Sequence, residues 1–321
     1  MNAYPDTAAA RDRFVLDRRG PRRRHDPWRS QELIVEDERD ADGHPARTAT
    51  VLLTGRECPW RCAMCDLWAY TTDEDTPCGA IPAQITAARE ELASRREAVA
   101  GIKLYNAGSF FDPRAVPESD YDDVAVALAG LSRVIVESHP SLVGPRVDRL
   151  IDALERHATG GRGRPALEVA MGLETAHPEA LDKLNKRFTL RGFADAADGL
   201  ERRGVALRVF LLISPPFVPL DEQDEWLRRS LDAAFDCGAS VVSLVPTRPG
   251  NGTMEALIDL GEFTSPGIDD IERSFALALQ HARGRGRVFV DLWDLERFAG
   301  PATSLDSTRA RLHAMNLEQR S

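Results

Sequence analysis

The stretch that decides the fold is Cys58-Pro59-Trp60-Arg61-Cys62-Ala63-Met64-Cys65. It holds three of the 5 cysteines found among 321 residues, and the apolar run of residues 49–54 precedes it directly. Three residues separate the first two cysteines and two separate the last pair, so all three side chains can point inward from one short loop. This clustering predicts a site rather than three unrelated thiols.

Three kinds of site fit these thiols. A zinc knuckle needs a fourth ligand, which Cys78 or a distant His can supply. A buried structural trio is the second, because free cysteine packs as a small hydrophobe, but Arg61 and Asp66 indicate a partly polar loop. Three thiolates also suit a [4Fe–4S] cluster that keeps one iron open for another ligand. We favour the cluster.

The composition is that of a globular protein. The chain is 43% hydrophobic and 29% charged, which suits one barrel-sized domain with extensions. No apolar run of about eighteen residues and no apolar signal region occur, so we expect neither a membrane span nor secretion, and we expect a reducing cytoplasm. The odd number of cysteines also disfavours a disulfide framework.

The charge is uneven along the chain. The net charge of -10 gives no general attraction for nucleic acid. The segment from Arg11 to Arg29 is instead basic, with arginine at positions 22, 23 and 24. Such a run is either a phosphate-seeking arm or a solvated leader. We predict a disordered leader over residues 1–30.

Strand-like and helical runs alternate after this leader. Residues 32–36 and 47–53 predict a hairpin, and further strands are expected at 102–105, 134–136, 167–171, 205–212 and 241–245, with another at 287–292. Helical patterns separate them, which predicts parallel βα units. The fold class is therefore α/β, a partial (β/α)6-type TIM barrel. We divide it into a leader (1–30), an N-terminal hairpin strand (31–48), a core (49–253) and a C-terminal α/β extension (254–321).

Barrels of this kind place their chemistry at the C-terminal ends of the strands. The cysteine loop follows the first core strand. Gly108 and Ser109 follow the next one, where a missing Cβ lets a ligand approach the backbone. Glu137 and Glu174 stand just past two later strand ends and supply acceptors for an ammonium group or a diol.

The loop resembles that of the radical S-adenosylmethionine (SAM) superfamily. Other segments extend the resemblance to residues 51–253, in the same order and at similar spacing, namely IKLYNAGSFFDPRAVP (102–117), VESHP (136–140), VAMGLET (169–175), LNKRFT (184–189) and LLISPPF (211–217). Within the superfamily the chain resembles the coproporphyrinogen-oxidase-like and elongator-like groups. It most resembles the radical SAM subunit that helps to form archaeosine in transfer RNA.

The resemblance implies two cofactors, a [4Fe–4S] cluster and SAM. The cluster would be held by the three loop cysteines, and the segment from Asn106 to Gly108 and Ser109 would be a variant of the Gly-rich segment that meets the methionine amino group. Glu137 would face that amino group and Glu174 the ribose hydroxyls.

Two further contacts to SAM are expected. Lys186 or Arg187 can offer a cation to the methionine carboxylate. Met64 stands before the last cysteine, where the family often has an aromatic residue, and its sulfur can pack on adenine.

The sequence therefore predicts a radical SAM enzyme. An external one-electron reductant of the flavodoxin or ferredoxin type would drive SAM cleavage to a 5′-deoxyadenosyl radical, acting on a small metabolite or natural-product intermediate. A transfer-RNA-modifying enzyme of the archaeosine type stays open, as do a non-catalytic iron–sulfur electron carrier and a zinc-binding structural module.

Overall fold

One eight-stranded sheet organises the computed structural model, which describes residues 3–106, 108–159, 163–300 and 304–320. Its strands follow one another in chain order across the sheet. Only β1 runs antiparallel, against β2, and every later pair is parallel. The strands are β1 (Glu32–Arg39), β2 (Pro45–Leu53), β3 (Gly101–Asn106), β4 (Arg133–Glu137), β5 (Ala166–Glu174), β6 (Ala206–Ile213), β7 (Ala239–Pro246) and β8 (Arg287–Val290).

Helices lie before, between and after the strands, and those that connect parallel strands cover the outer face of the sheet. In the described part of the chain they are α1 (Ala8–Leu16), α2 (Ala80–Ser94), α3 (Tyr121–Ala127), α4 (Pro145–Arg156), α5 (Pro178–Lys183), α6 (Leu190–Glu201), α7 (Gln223–Asp236), α8 (Thr253–Asp259), α9 (Ile268–His281) and α10 (Leu305–Glu318). None of these helices has the length and apolar character needed to cross a membrane.

The predicted partial barrel is confirmed. The curled sheet stays open, since β1 and β8 are its two edges. Residues of the outer face, such as Leu104, Val136 and Val169, are fully or almost fully buried against the helices. Burying each such side chain contributes about 1.5–3 kcal/mol. The N-terminal hairpin is present as β1 and β2, and the strand expected near residue 287 is β8.

The sequence pattern did not predict α10, which protects an edge of the sheet. The side-chain amide of Asn316 exchanges hydrogen bonds with the backbone of Val290, at 2.8 and 3.0 Å. Gln319 does the same with Val288, at 2.8 Å for both bonds. These amides occupy the backbone groups of β8 that would otherwise be open to another strand.

The predicted disorder of the N-terminal segment is wrong. Residues 4–25, here called the N-terminal arm, contain α1 and lie against the body of the protein. Phe14 and Val15 are buried, and the Arg11 guanidinium donates to the carboxylate of Asp182 at 2.8 Å. The arm is ordered because its aromatic residues have an apolar surface to cover and several of its arginines have acceptors nearby.

A buried ion network lies inside the barrel towards the N-terminal ends of the strands. Arg208 of β6 pairs with Glu38 of β1 at 2.7 Å and with Glu168 of β5 at 2.5 Å. Lys103 of β3 pairs with Glu38 at 2.7 Å, and Arg208 also donates to Ser243 at 3.1 Å. We call these five residues the barrel floor.

Candidate metal centre and active site

The cysteine loop, residues 57–66, follows β2 at the C-terminal edge of the sheet, as predicted. Loops after two other strands hold its backbone. The Ala63 amide donates to the Leu184 carbonyl at 3.0 Å, and the Asn251 side chain donates to the carbonyls of Ala63 and Cys65 at 2.8 and 3.1 Å. Asn185 donates to the carbonyl of Arg61 at 2.8 Å. The protein itself therefore fixes the path of the loop.

The three loop thiols are free and half-buried. Burial raises the pKa of Cys62 to about 12, and the positive charge of Lys186 opposes that rise. Burial also raises the pKa of Cys58 and of Cys65, and the charges of the other two thiols raise that of Cys65 further. The three thiols thus lie within electrostatic range of one another. The thiolate is the form that ligates a metal, so a metal bound at these cysteines would itself hold them deprotonated.

No three His, Cys, Asp or Glu side chains converge on the position of a single metal ion within the part of the chain that the structure describes. The donors near the loop are instead spread around an open mouth. They come from the ends of β3, β4 and β5, where the sequence analysis placed them.

Glu137 and Glu174 end two adjacent strands, and Lys186 lies with them. The Lys186 ammonium donates to Glu174 at 2.5 Å, with both side chains buried. Gly172 leaves room for this pair, since a Cβ there would stand 2.1 Å from a Glu174 carboxylate oxygen and 2.5 Å from the Lys186 nitrogen. The predicted group of two carboxylates and one cation is therefore assembled in the fold.

Glu137 differs from Glu174 in having no partner. Burial raises its pKa to about 7, with Lys186 lowering it and Glu174 raising it. Among the described residues its carboxyl group has no hydrogen bond or ion pair. A buried carboxyl group with a raised pKa and no partner is typical of a site that takes a ligand.

Arg187 does not point to this group. Its guanidinium donates to Asp12 at 2.7 Å and to the Ala8 carbonyl at 3.0 Å, both in the N-terminal arm. It also donates to Asn185 at 2.9 Å. Of the two predicted cations, the structure therefore places only Lys186 beside the carboxylates.

Asn106, Gly108 and Ser109 lie near the start of the cysteine loop, and Ala107 is outside the described residues. Asn106 is only 4% exposed, and both atoms of its amide lack a hydrogen-bond partner in the described structure. Buried amides of this kind are rare without a ligand or a water. The orphaned amide therefore fits a site that is completed by a bound cofactor.

Gly108 packs closely against the chain that enters the cysteine loop. A Cβ there would stand 2.1 Å from the Arg56 carbonyl oxygen and 2.6 Å from the Ala115 Cβ. Glycine is thus required at this position for packing, and its predicted contact with SAM stays a prediction. Ser109 is buried, and its hydroxyl accepts from the His139 amide at 3.1 Å.

Trp60 and His139 form a contact that the sequence analysis missed. Their rings stack with centroids 3.5 Å apart and planes 10° apart. His139 Nδ1 accepts from the Ser141 amide at 3.2 Å, so Nε2 carries the proton and donates to the Lys186 carbonyl at 2.8 Å. Burial lowers the pKa of His139 to about 3, so the ring stays neutral. The only signal was the position of His139 just past a strand end.

Met64 faces a different environment from these polar groups. It packs against a small apolar cluster that includes Ala63, Phe217 and Met254. Nearby, Ser109, Glu174 and Ser214 have positive φ values of 67°, 68° and 54° at the ends of β3, β5 and β6. Non-glycine residues in this region carry backbone strain, which concentrates at functional sites.

Known proteins give two kinds of match. No model of a protein family matches the chain. Archaeosine synthase subunit beta of Methanosarcina acetivorans is 27% identical over 249 residues, covering 74% of this chain and 67% of that protein. The protein of the same name from Thermococcus kodakarensis is 28% identical over 129 residues, covering 38% of this chain and 36% of its own length.

Among solved structures, Elp3 of Methanocaldococcus infernus, with an N-terminal deletion, has a TM-score of 0.53 at 14% identity. The match covers 73% of this chain and 59% of that one, and it shows a shared fold. This chain thus spans about two thirds or less of the relatives named here. The cysteine loop, the fold and the sequence relatives together confirm the resemblance to the radical SAM superfamily.

Proposed function

We propose that this chain is a radical SAM enzyme that holds one [4Fe–4S] cluster on Cys58, Cys62 and Cys65 and cleaves SAM reductively to begin radical chemistry on a small metabolite or natural-product intermediate. The observation that carries the proposal is the placing of the cysteine loop beside Glu137 and Lys186. When bound, the cluster supplies an open iron and the electron for cleavage. An external donor of the flavodoxin or ferredoxin type delivers that electron.

The chain's own residues bind and orient SAM. Glu137 accepts from the methionine amino group, since its carboxyl group has no other partner among the described residues. Glu174 accepts hydrogen bonds from the ribose hydroxyls through the carboxylate oxygen that does not bind Lys186. The orphaned amide of Asn106 supplies a donor and an acceptor at the same edge.

The remaining contacts shape the site. Lys186 balances negative charge near Cys62 and offers its ammonium group to the methionine carboxylate. Met64 supplies an apolar surface for adenine, while Gly108 and Ser109 hold the β3 end loop against the cysteine loop. Arg187 is not part of this set, because its guanidinium group donates to Asp12 of the N-terminal arm.

The inner face of the barrel favours a small substrate. Tyr105 of β3 and Phe210 of β6 are half-buried there, with their rings edge to face at 5.7 Å. The barrel floor closes the space below them with charges that are already paired. A compact molecule with an apolar or aromatic part suits this chamber, where its hydrogen can be held in line with the radical.

The arm does not behave as a free basic tail. Arg11, Arg19 and Arg22 pair with acidic residues of the body, and Arg18 lies over the Phe14 ring at 3.4 Å. These guanidinium groups are therefore committed within the protein. This weakens the arginine run as an argument for binding nucleic acid.

Transfer RNA is the second candidate substrate. The observation that favours it is the 27% identity to archaeosine synthase subunit beta over 249 residues. Arg23 and Arg24 are exposed and form no ion pair among the described residues, so they are available as phosphate contacts. On a duplex, log affinity falls by about 0.9 per neutralised phosphate for each decade of salt.

The binding test compares the full chain with a double variant, Arg23→Gln with Arg24→Gln, at low and moderate salt. Transfer RNA binding that weakens with salt and with the double variant favours this second candidate. Absence of binding to either protein at low salt favours the small-molecule proposal.

Anaerobic reconstitution with iron and sulfide tests the proposed class. We expect a brown protein that releases 5′-deoxyadenosine from SAM under dithionite. A colourless zinc protein, or a reducible chromophore that leaves SAM intact, would overturn the enzymatic proposal in favour of the structural module or the electron carrier.

A further inference from the structure

The N-terminal arm packs directly on the cysteine loop. Tyr4 and Phe14 form a small apolar cluster with Ala63 of that loop. The ring centroids of Tyr4 and Phe14 are 5.1 Å apart. The Tyr4 hydroxyl donates to the Lys183 carbonyl at 2.8 Å. At Gly252 a Cβ would stand 2.0 Å from the Arg18 carbonyl oxygen. The backbone of the arm is therefore fitted closely to the mouth of the barrel.

Arg19 of the arm has a buried hydrogen-bond donor that no described residue accepts. Its side chain is 7% exposed, and it pairs with Glu57, the residue before Cys58, at 2.8 Å. Its guanidinium group lies over the Trp68 ring at 4.7 Å. The Nε–H group is buried and has no hydrogen-bond partner among the described residues. Such a donor needs an acceptor.

The cysteine loop, on which the arm packs, supplies sulfur as an acceptor. Glu57 of that loop holds Arg19 beside Cys58, and Arg61 of the loop shares the same carboxylate at 3.2 Å. Two cations with little exposure, from distant parts of the chain, thus lie near the cysteine loop, Lys186 beside Glu174 and Arg19 in the arm. Hydrogen bonds and charges around cluster sulfurs set the reduction potential of iron–sulfur centres.

We propose that Arg19 belongs to the cluster site, with its Nε–H donating to a sulfur of the bound cluster and its charge stabilising the reduced state. The N-terminal arm then sets the reduction potential of the centre and is not a leader. This inference rests on the proposed function, because it needs a cluster on the loop.

The experiment measures iron content and midpoint potential in the reconstituted full chain, by redox titration followed with electron paramagnetic resonance. Arg19→Gln removes a positive charge, so we expect a more negative potential. Glu57→Gln breaks the same ion pair, together with the pairs of Glu57 with Arg22 and Arg61, but removes a negative charge, so we expect a shift to a more positive potential. Arg23→Gln is the matched control on the same arm, and it should leave the potential unchanged.

Shifts of opposite sign in Arg19→Gln and Glu57→Gln would show that Arg19 acts on the potential through its charge and not only by holding the loop in place. If Arg19→Gln keeps the wild-type potential, or if both pair-breaking variants shift alike, Arg19 only ties down the loop and the inference is overturned. Should Arg19→Gln fail to fold, Arg19→Lys retains the charge without Nε–H, and an unchanged potential there overturns the hydrogen bond. A wild-type chain that takes up no cluster overturns the proposed function itself.

Discussion

The two ends of the barrel interior carry polar groups in opposite states. At the barrel floor, burial acts to raise the pKa of Glu38, but Arg208 and Lys103 hold it well below the usual range. At the mouth, burial raises the pKa of Glu137 to about 7. Both are carboxyl groups on the inner face of one sheet, and they differ in whether the fold supplies a cation to pair with them.

This difference distinguishes the carboxyl groups that stabilise the fold from those that are available to bind a ligand. A buried charge is tolerated when neighbouring groups compensate it, as Arg208 does for Glu38 and Glu168. At the mouth no ion pair holds Glu137 in its charged form, so its pKa stays raised, and the Asn106 amide has no hydrogen-bond partner in the described structure. Groups left open at strand ends in this way are the ones available to a ligand.

The largest effect is expected at the cysteine loop. Replacing Cys58, Cys62 or Cys65 by Ala should abolish cluster assembly and SAM cleavage, because each removes one of three ligands. Cys78→Ala and Cys237→Ala should retain both. Iron and sulfide analysis of the five purified variants checks this, and near wild-type iron content in Cys62→Ala would contradict the cluster assignment.

At the barrel floor, Arg208→Met should destabilise the fold by about 3–5 kcal/mol, because it leaves the buried Glu168 carboxylate without its cation. Urea unfolding measures this. Arg191→Met removes an exposed pair with Asp195 and should cost about 0.3–0.5 kcal/mol. Equal losses in the two variants would show that the floor is not a coupled ion network.

At the mouth, Glu137→Gln and Glu174→Gln should keep their iron and bind SAM more weakly. Losing a hydrogen bond to a charged group costs about 1.5–3 kcal/mol, which corresponds to roughly ten-fold to a hundred-fold in affinity. Calorimetric titration of the reconstituted proteins measures this. Glu179→Gln, which loses an exposed pair with Lys183, is the control, and unchanged affinity in both mouth variants would make the two glutamates structural.

The smallest expected effect is a pH dependence of SAM binding. With its pKa raised to about 7, Glu137 is mostly neutral at pH 6 and mostly ionised at pH 8. Because the ionised form accepts the ammonium group, SAM affinity should rise by about ten-fold across that interval and then level off. Glu137→Gln should remove this rise. A wild-type affinity that is flat from pH 6 to 8 would show that Glu137 does not meet the amino group.

The sequence by itself determined the order of the elements and the place of the site. Apolar runs alternating with helical patterns predicted β3 to β7 within a few residues, because side-chain periodicity is a local property. The cysteine spacing is equally local, so it indicated the metal centre directly. The strand-end rule then placed Glu137 and Glu174 at the mouth.

Only the tertiary structure shows which of two consecutive cations lies beside the carboxylates at the barrel mouth. Lys186 and Arg187 look alike in the sequence. In the fold, the guanidinium group of Arg187 donates a hydrogen bond to Asp12, which lies 175 residues earlier in the chain. The same holds for the Trp60 stack on His139 and for the order of the N-terminal arm, which depends on acceptors such as Glu57 and Asp182. Contacts between distant segments leave no periodic trace in a sequence, because packing of the whole chain brings those residues together.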